Sequence, residues 1–160
     1  MQTKPAYSYN QSAAIAFRRR AGSTSVLLIT SHRGHHWVIP KGIVERGLTP
    51  AASARKEAWE EAGVHGQVGT TPVGTYDYEK WGGTCRVRVF LLEVEQVLDE
   101  WPESNVRRRR WVSPEAAATL VRNEGLRRIL HDARSYLGEG AGFCPAERET
   151  AQPARRDAPA

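Results

Sequence analysis

Runs of apolar side chains predict three strands in the first quarter of the chain. Residues 12–17 are apolar or small, and residues 25–31 carry a second apolar run, with an Arg/Gly/Ser stretch between them that is typical of a turn. A third apolar run, residues 37–39, stops at Pro40, which cannot donate a hydrogen bond to a sheet. We therefore expect a strand pair, then a short strand that ends at Pro40.

The next segment has the pattern of a helix. The Thr49 hydroxyl can cap exposed backbone amides, and Pro50 suits the first helical position, where its missing N–H costs nothing. Residues 51–62 are mostly good helix formers, and Gly63 is a typical helix end. The sequence thus predicts a helix that begins after Thr49 and ends at Ala62.

The remaining pattern predicts strands followed by helices. Strands are expected at 68–76, 84–94 and 107–112, with a polar loop at 77–83, and helices after Ser113 and at about 126–137. The final 23 residues hold Phe143 as their only large apolar side chain, too little to offset the entropy of ordering. We expect an N-terminal arm at 1–11, one α/β domain with a mixed sheet at 12–137, and a disordered tail at 138–160.

Composition excludes several classes of protein. With 40% hydrophobic and 26% charged residues the chain is globular in character, and its apolar runs are far shorter than the roughly 20 residues of a membrane span. The start shows no apolar signal-like segment, and two cysteines cannot build a disulfide framework, so we expect a cytoplasmic protein that does not bind membranes.

The net charge of +5 favours anionic partners in general. Arginines are concentrated at 18–20 and 107–110, and each run is either a binding site for a polyanion or a solvated strand end. A loop with His32, His35 and His36 suggests metal or acid–base chemistry, although exposed polar histidines are the commoner case. The oligomeric state is left open by the sequence.

Three glutamates of the predicted helix share one face. Glu60 and Glu61 follow Glu57 by three and four residues, so both project within roughly 60° of it at about 100° per residue. Like charges destabilise a helix, which indicates compensation by a cation unless the face is simply solvated. Carboxylate oxygens favour Mg²⁺, with Mn²⁺ as the alternative.

The spacing around these glutamates resembles the Nudix box, the loop–helix–loop signature of Nudix hydrolases. The matching residues are Gly42, then Lys56-Glu57-Ala58, then Glu60-Glu61-Ala62-Gly63-Val64. The resemblance covers about residues 12–135 and implies an α/β/α sandwich with a mixed central sheet. It also implies hydrolysis of a phosphoanhydride, with Glu57, Glu61 and the Gly42 carbonyl as metal ligands and Glu60 as general base. Should Glu60 not be the base, Glu79 is the next candidate.

Two positions depart from the family pattern. Leu48 stands where a glutamate is usual, and Lys56 replaces an arginine that orients the neighbouring glutamate through two contacts. Because lysine can supply only a point charge, activity or metal dependence could be altered. A catalytically weak module that binds a nucleotide or nucleic acid is therefore the alternative to an enzyme.

Outside the box, the chain resembles two subgroups with different substrates. Segments 98–101, 107–111 and 114–116 resemble diphosphoinositol polyphosphate phosphohydrolases, but basic residues expected before the first strand are missing and a further expected lysine falls at Gly125. Residues 40–42 resemble diadenosine polyphosphate hydrolases, in which Lys41 would contact the phosphate chain. Dinucleoside polyphosphates therefore rank above inositol pyrophosphates, with Lys41, Arg107 and Tyr76 as substrate-binding residues and with Tyr78 and Trp81 as further aromatic candidates near the cleft.

Overall fold

Two long strands form the middle of the sheet. In the computed structural model, which describes residues 8–137 apart from the side chain of Arg134, β1 (Ser8–Arg20) runs parallel to β7 (Gly83–Val97), from Ser8 beside Thr84 to Phe17 beside Glu93. Seven consecutive residues of β1, 11–17, are buried, as expected of a strand that is covered on both faces. The predicted arm thus contributes its last residues, from Ser8 onward, to β1, and the predicted tail lies outside the described residues.

Six shorter strands extend this pair to a mixed eight-stranded sheet. On one side of β1 lie strands antiparallel to it, β2 and β4, and β2 in turn pairs with β3 and β8. On the other side, β7 pairs antiparallel with β6 along its first half and with β5 along its second half. The bounds are β2 (Ser23–Thr30), β3 (Trp37–Val38), β4 (Lys41–Ile43), β5 (Val64–Val68), β6 (Gly74–Lys80) and β8 (Arg109–Val112).

Helices cover both faces of the sheet, which confirms the predicted α/β/α sandwich. Helix α1 (Pro50–Ala62) packs its alanines on one face, while α2 (Pro114–Leu120), α3 (Glu124–His131) and α4 (Arg134–Leu137) pack on the other. Thr49 caps α1 by accepting from the Ala52 N–H at 3.1 Å, and Gly63 ends it with a left-handed φ of 65°, as predicted. No helix within residues 8–137 is long and apolar enough to span a membrane.

Three predicted elements differ from the structure. The strand expected at 68–76 is wrong, because β5 ends at Val68 and β6 begins only at Gly74. The loop expected at 77–83 is wrong as well, since β6 continues to Lys80 and joins β7 through a two-residue turn. The final helix is broken into α3 and α4. The sequence did not predict β6 because its exposed face is polar, and polar side chains alone do not distinguish an exposed strand face from a loop.

Candidate active site

Gly42 and Glu57 are packed directly against each other. Strand β4 places Gly42 opposite Ser12 of β1, and α1 crosses the same region. A Cβ on Gly42 would lie 2.2 Å from Glu57 Oε1 and 2.8 Å from Oε2, which is closer than atoms can approach. The absence of a side chain at Gly42 therefore makes room for the Glu57 carboxylate beside the β4 backbone.

Glu61 is the most buried of the three glutamates. Its side chain is 12% exposed; Oε2 accepts a hydrogen bond from the Lys41 N–H at 3.2 Å, and Oε1 lies 3.5 Å from Arg107 Nη2. Burial raises the pKa of Glu61 to about 8, and Glu57 adds to the rise while Arg107 opposes it. One backbone donor and one buried cation thus hold the Glu61 carboxyl group in place.

Glu57 and Glu61 converge, as their spacing predicts. Burial raises the pKa of Glu57 to about 6, the carboxylates of Glu60 and Glu103 add to the rise, and a hydrogen bond with Glu61 opposes it. Two carboxylates close enough to share a hydrogen bond are also close enough to bind one cation together. Burial is thus the main cause of both raised pKa values, and repulsion from neighbouring carboxylates adds to it.

Glu60 points toward a different partner. Its Oε1 lies 3.5 Å from Lys56 Nζ, and Lys56 also forms a short ion pair with Glu45. Lys56 thus supplies a local positive charge beside Glu60 on the carboxylate face. Leu48, by contrast, is 36% exposed and lines a shallow groove outside the cleft, where it touches none of the predicted ligands.

Arg107 is buried among protein partners. Its side chain is 9% exposed; Nη1 donates to the Thr30 carbonyl at 2.9 Å, and Nη2 lies 3.3 Å from Glu103 and 3.5 Å from Glu61. Its Nε is buried with no hydrogen-bond partner. Arg107 is therefore not the solvated strand end that the sequence left open, and both of its terminal nitrogens contact protein groups.

Glu103 is a carboxylate of this site that sequence reasoning missed. Its backbone N–H donates to the Glu60 carbonyl at 3.1 Å, and its charge raises the pKa of both Glu57 and Glu61. No sequence signal identified Glu103, because no spacing rule links the residues before Arg107 to the box helix. Glu79, the alternative base, lies on β6, accepts a hydrogen bond from the Thr84 hydroxyl and does not line the cleft.

Three residues, which we call the helix-end clamp, fix the C-terminus of α1: Gly63, Trp101 and Arg109. The Trp101 indole N–H donates to the Glu61 carbonyl at 3.0 Å, and its ring lies so close to Gly63 that a Cβ there would sit 2.7 Å from it. Arg109 stacks on Trp101 at 3.9 Å and donates to the Leu98 carbonyl at 2.8 Å and the Ala62 carbonyl at 3.2 Å. The clamp thus holds the last turn of the helix that carries Glu61.

A cleft of about 740 Å³ opens beside Glu61 and is lined by Lys41, Arg107 and aromatic side chains. Lys41 Nζ lies 5.1 Å from the ring centre of Tyr78, and burial lowers the pKa of Lys41. The Tyr78 hydroxyl donates to Gln11 Oε1 at 2.6 Å. Tyr76 borders the cleft but is 6% exposed and belongs to the apolar core, so Tyr78 presents the more accessible ring.

The histidine loop borders the same cleft. His32, His35 and His36 all line it, and the Ser31 hydroxyl accepts hydrogen bonds from the backbone N–H groups of His35 and His36. Burial lowers the pKa of His36, and the positive charge of Arg122 adds to that effect. The structure thus brings the loop to the predicted site without placing its histidines among the carboxylates.

The donor set fits a magnesium-type ion bound partly by substrate. Within residues 8–137 no three His, Cys, Asp or Glu side chains form a ready-made metal cage. Mg²⁺ nevertheless binds through one or two carboxylates together with substrate phosphates, and Glu57 and Glu61 supply such a pair in the space left by Gly42. The Gly42 carbonyl as a further ligand stays a prediction.

Comparison with known proteins places this geometry in a family. The profile of the NUDIX domain matches residues 9–133. The chain is 35% identical over 124 residues to "Nudix hydrolase 13, mitochondrial" of Arabidopsis thaliana, a match that covers 71% of this chain and 61% of the relative. It is 31% identical over 113 residues to "Diphosphoinositol polyphosphate phosphohydrolase 2" of Rattus norvegicus, covering 69% and 62%.

Solved structures give the same assignment. The Ap4A hydrolase of C. elegans, in a binary complex, superposes with a TM-score of 0.64 at 25% identity, covering 81% of this chain and 97% of that one. The MutT protein of Methanosarcina mazei Go1 shares the fold, with a TM-score of 0.60 at 19% identity over 81% and 94% of the two chains. The matches span about three fifths of the length of the curated relatives. From the box spacing, the fold and these matches together, the chain belongs to the Nudix hydrolase family.

Proposed function

We propose that this protein is a divalent-metal-dependent hydrolase that cleaves a phosphoanhydride bond in a dinucleoside polyphosphate. The observation that carries the proposal is the pair Glu57 and Glu61: the two converge beside Gly42, and Gly42, Glu61 and Lys41 line the cleft. A dinucleoside polyphosphate is an anionic chain with a ring system at each end. The cleft combines acidic, basic and aromatic groups that suit those parts.

Glu57 and Glu61 would hold the metal ion, Mg²⁺ in the first instance and Mn²⁺ as the alternative. When bound, the ion supplies charge neutralisation for phosphate oxygens and increased acidity for water. The protein side chains then have distinct tasks. Lys41 contributes a positive charge toward the phosphate chain, while the hydrogen bond from its backbone N–H and the buried Arg107 fix the orientation of Glu61.

Glu60 is the proposed general base, which accepts a proton as water attacks phosphorus. Its carboxylate is one-third exposed, so water can reach it, and it lies 3.5 Å from Lys56 Nζ. Glu103 is the competing candidate, because its charge reaches both Glu57 and Glu61. Kinetics distinguishes the two assignments, because replacement of the true base with glutamine should lower kcat by about 10²–10⁴-fold.

The environment of Gly125 favours a dinucleoside polyphosphate over an inositol pyrophosphate. The lysine that the inositol pyrophosphate subgroup would place at this position would require a Cβ, which would lie 2.6 Å from the Tyr76 Cβ. Residues 8–11, at the start of β1, also carry no basic group: Tyr9 contacts Trp81, and Gln11 accepts a hydrogen bond from Tyr78. The similarity to diphosphoinositol polyphosphate phosphohydrolase 2 keeps the second substrate class as the alternative.

A role as a nucleic-acid-binding module is less consistent with the arginine runs. Arg18 stacks on Trp111 at 3.8 Å, Arg19 donates to the Leu137 carbonyl at 3.0 Å, and Arg107 and Arg109 are engaged at the site. Side chains that already satisfy intramolecular partners offer few free donors for a phosphate backbone.

A substrate screen tests the proposal. Diadenosine tetraphosphate, nucleotide sugars, capped RNA and diphosphoinositol polyphosphates are each incubated with the protein and Mg²⁺, and products are separated by anion-exchange chromatography. We expect the diadenosine compound to give the highest kcat/KM and chelation by EDTA to abolish turnover. A preference for diphosphoinositol polyphosphates would identify inositol pyrophosphates as the substrate class. No turnover of any substrate would favour the catalytically weak binding module.

Matched glutamate variants test the metal and base assignments. Glu57→Gln should remove most Mg²⁺-supported turnover while circular dichroism shows an intact fold, because it removes charge from a partly exposed helix face. Glu95→Gln is the control: Glu95 is exposed on β7 and lines a groove away from the cleft. Wild-type turnover in Glu57→Gln would contradict the metal assignment. Full kcat in Glu60→Gln, combined with its loss in Glu103→Gln, would move the base to Glu103.

A further inference from the structure

Ser12 carries a buried hydroxyl group that is not hydrogen-bonded. The residue lies within β1 with 0% of its surface exposed, and its Oγ has no hydrogen-bond partner within residues 8–137. Buried polar side chains nearly always form a hydrogen bond, because water is not there to compensate for a missing one. An unpaired hydroxyl in the middle of the sheet therefore requires an explanation.

Packing does not require a serine at this position. Side chains alternate along a strand, so Ser12, Ala14 and Ala16 share one face of β1. The two alanines pack in the cluster that contains the alanines of α1, whereas Ala13 and Ile15 belong to the core on the opposite face. An alanine at position 12 would continue the row toward α1 without an unpaired polar atom. The hydroxyl group itself is thus what remains to be explained.

The Ser12 side chain projects beside the Glu57 carboxylate. Ser12 lies directly opposite Gly42 in the antiparallel β1–β4 pair, and directly opposed residues project to the same face with Cβ positions about 4.5–5.5 Å apart. The Cβ that Gly42 lacks would lie 2.2 Å from Glu57 Oε1. The Glu57 carboxylate therefore occupies the side-chain position next to Ser12 on this face of the sheet.

The Glu57 carboxylate has acceptor sites that the protein leaves unused. Within residues 8–137, no ion pair includes Glu57 and no backbone N–H donates to it, although its carboxyl group shares a hydrogen bond with Glu61. Glu61, by contrast, is fixed by the Lys41 N–H and by Arg107. Because a carboxylate can accept about four hydrogen bonds, Glu57 can accept one from a neighbouring hydroxyl.

We infer that Ser12 is a positioning residue, whose hydroxyl donates a hydrogen bond to the Glu57 carboxylate when a divalent cation binds between Glu57 and Glu61. The inference rests on the metal site of the proposed function and adds to it the group that orients Glu57. A cation shared by the two carboxylates takes the place of the hydrogen bond between them and leaves Glu57 ionised, as an acceptor for Ser12. The unpaired hydroxyl of the metal-free protein is then a donor reserved for the metal-bound form.

The test measures metal affinity and stability separately in Ser12→Ala. Mn²⁺ binding to the substrate-free protein is followed by electron paramagnetic resonance, and Mg²⁺ is added as a competitor. We expect Ser12→Ala to raise the Kd for Mn²⁺ by about 10-fold to 100-fold, as is typical when a group that orients a metal ligand is removed. In EDTA, urea denaturation should show a variant at least as stable as the wild type, because an unpaired buried hydroxyl is removed.

Ser53→Ala is the matched control. Ser53 is buried on α1, but its hydroxyl accepts a hydrogen bond from the Glu45 N–H at 3.3 Å. We expect this substitution to lower the urea midpoint in EDTA and to leave the Kd for Mn²⁺ near the wild-type value. Ser12→Cys has a similar shape and a weak donor, so its Kd should lie between those of the wild type and Ser12→Ala.

The outcomes distinguish this inference from the proposed function. An unchanged Kd in Ser12→Ala, or an equal rise in Ser53→Ala, would overturn the positioning role even if the wild type hydrolyses a polyphosphate. A metal-free Ser12→Ala protein that is less stable than the wild type and binds Mn²⁺ normally would show a purely structural role. If the wild type binds Mn²⁺ but hydrolyses no substrate, the proposed function fails and the Kd values still decide the role of Ser12. A wild type that binds no Mn²⁺ would overturn the metal site and this inference together.

Discussion

Glu61 should make the metal-free protein less stable as the pH rises. Burial raises the pKa of Glu61 to about 8 from an ordinary value of 4.5, so the folded state binds a proton between these values that the unfolded state has released. Stability falls with pH wherever the folded state binds more protons. The stabilisation is therefore complete below pH 4.5 and is lost by the time the pH has passed 8. Replacing Glu61 with glutamine, which stays neutral, should remove this dependence.

The expected size of the effect follows from the two pKa values. Between pH 5 and pH 8.5, a carboxyl group with pKa values of 4.5 unfolded and about 8 folded changes the free energy of unfolding by on the order of 4 kcal/mol. Glu57, whose pKa is raised to about 6, acts in the same direction, and part of its contribution changes with the substitution because the two carboxyl groups interact. The difference between wild type and Glu61→Gln thus measures Glu61 together with its coupling to Glu57.

Urea denaturation in EDTA at pH 5 and pH 8.5 measures the effect. We expect Glu61→Gln to be about as stable as the wild type at pH 5 and more stable at pH 8.5. Addition of Mg²⁺ at pH 8.5 should then stabilise the wild type far more than Glu61→Gln, because an ion that binds only the folded protein shifts the equilibrium toward it. A wild-type stability that is flat or increasing from pH 5 to pH 8.5 without metal would refute the reasoning.

Three further predictions concern the surroundings of the carboxylates. Gly42→Ala should weaken Mg²⁺ activation by about 10-fold to 100-fold, because its Cβ would displace Glu57; an unchanged Mg²⁺ activation curve would contradict the packing. Trp101→Phe should lower the free energy of unfolding by about 1 kcal/mol through loss of the indole bond to Glu61 and should also lower kcat, and urea denaturation and steady-state assays check the two effects. Arg107→Ala should cost about 3–5 kcal/mol at pH 8.5, where Glu61 is ionised, and less at pH 5; equal losses at both pH values would show that the pair with Glu61 is unimportant.

The parts of the fold and site that the sequence predicts are local ones. Thr49, Pro50 and Gly63 mark the ends of α1 through interactions within one turn of the helix. The convergence of Glu57 and Glu61 is likewise set by helix geometry, since residues four apart share a face. Such features depend on neighbouring positions in the chain, so a pattern in the sequence can predict them.

The parts that escaped prediction depend on long-range packing. Arg107 was expected to be either a phosphate contact, which stays a prediction, or a solvated residue, which its burial excludes. Its contacts with the backbone of β2 and with two carboxylates were not predicted. Glu103 comes to the site because its N–H meets the last turn of α1, a contact across 43 positions with no sequence signal. The β6–β7 turn was missed since Trp81 occupies a position where Asn or Gly is the usual marker.

The distribution of counter-charges around α1 is consistent with an added cation between Glu57 and Glu61. The helix has no basic residue in its last turn, so compensation for its glutamates comes from individual partners. Lys56 faces Glu60, and Arg107 faces Glu61. Among the ion pairs of the described residues none includes Glu57, whose pKa is raised and whose carboxylate instead meets Gly42 and Glu61. A divalent ion bound between Glu57 and Glu61 would supply the missing charge, and its entry would reverse the raised pKa values of both. The buried negative charge that destabilises the metal-free protein at high pH would thus also create the affinity for the proposed metal ion.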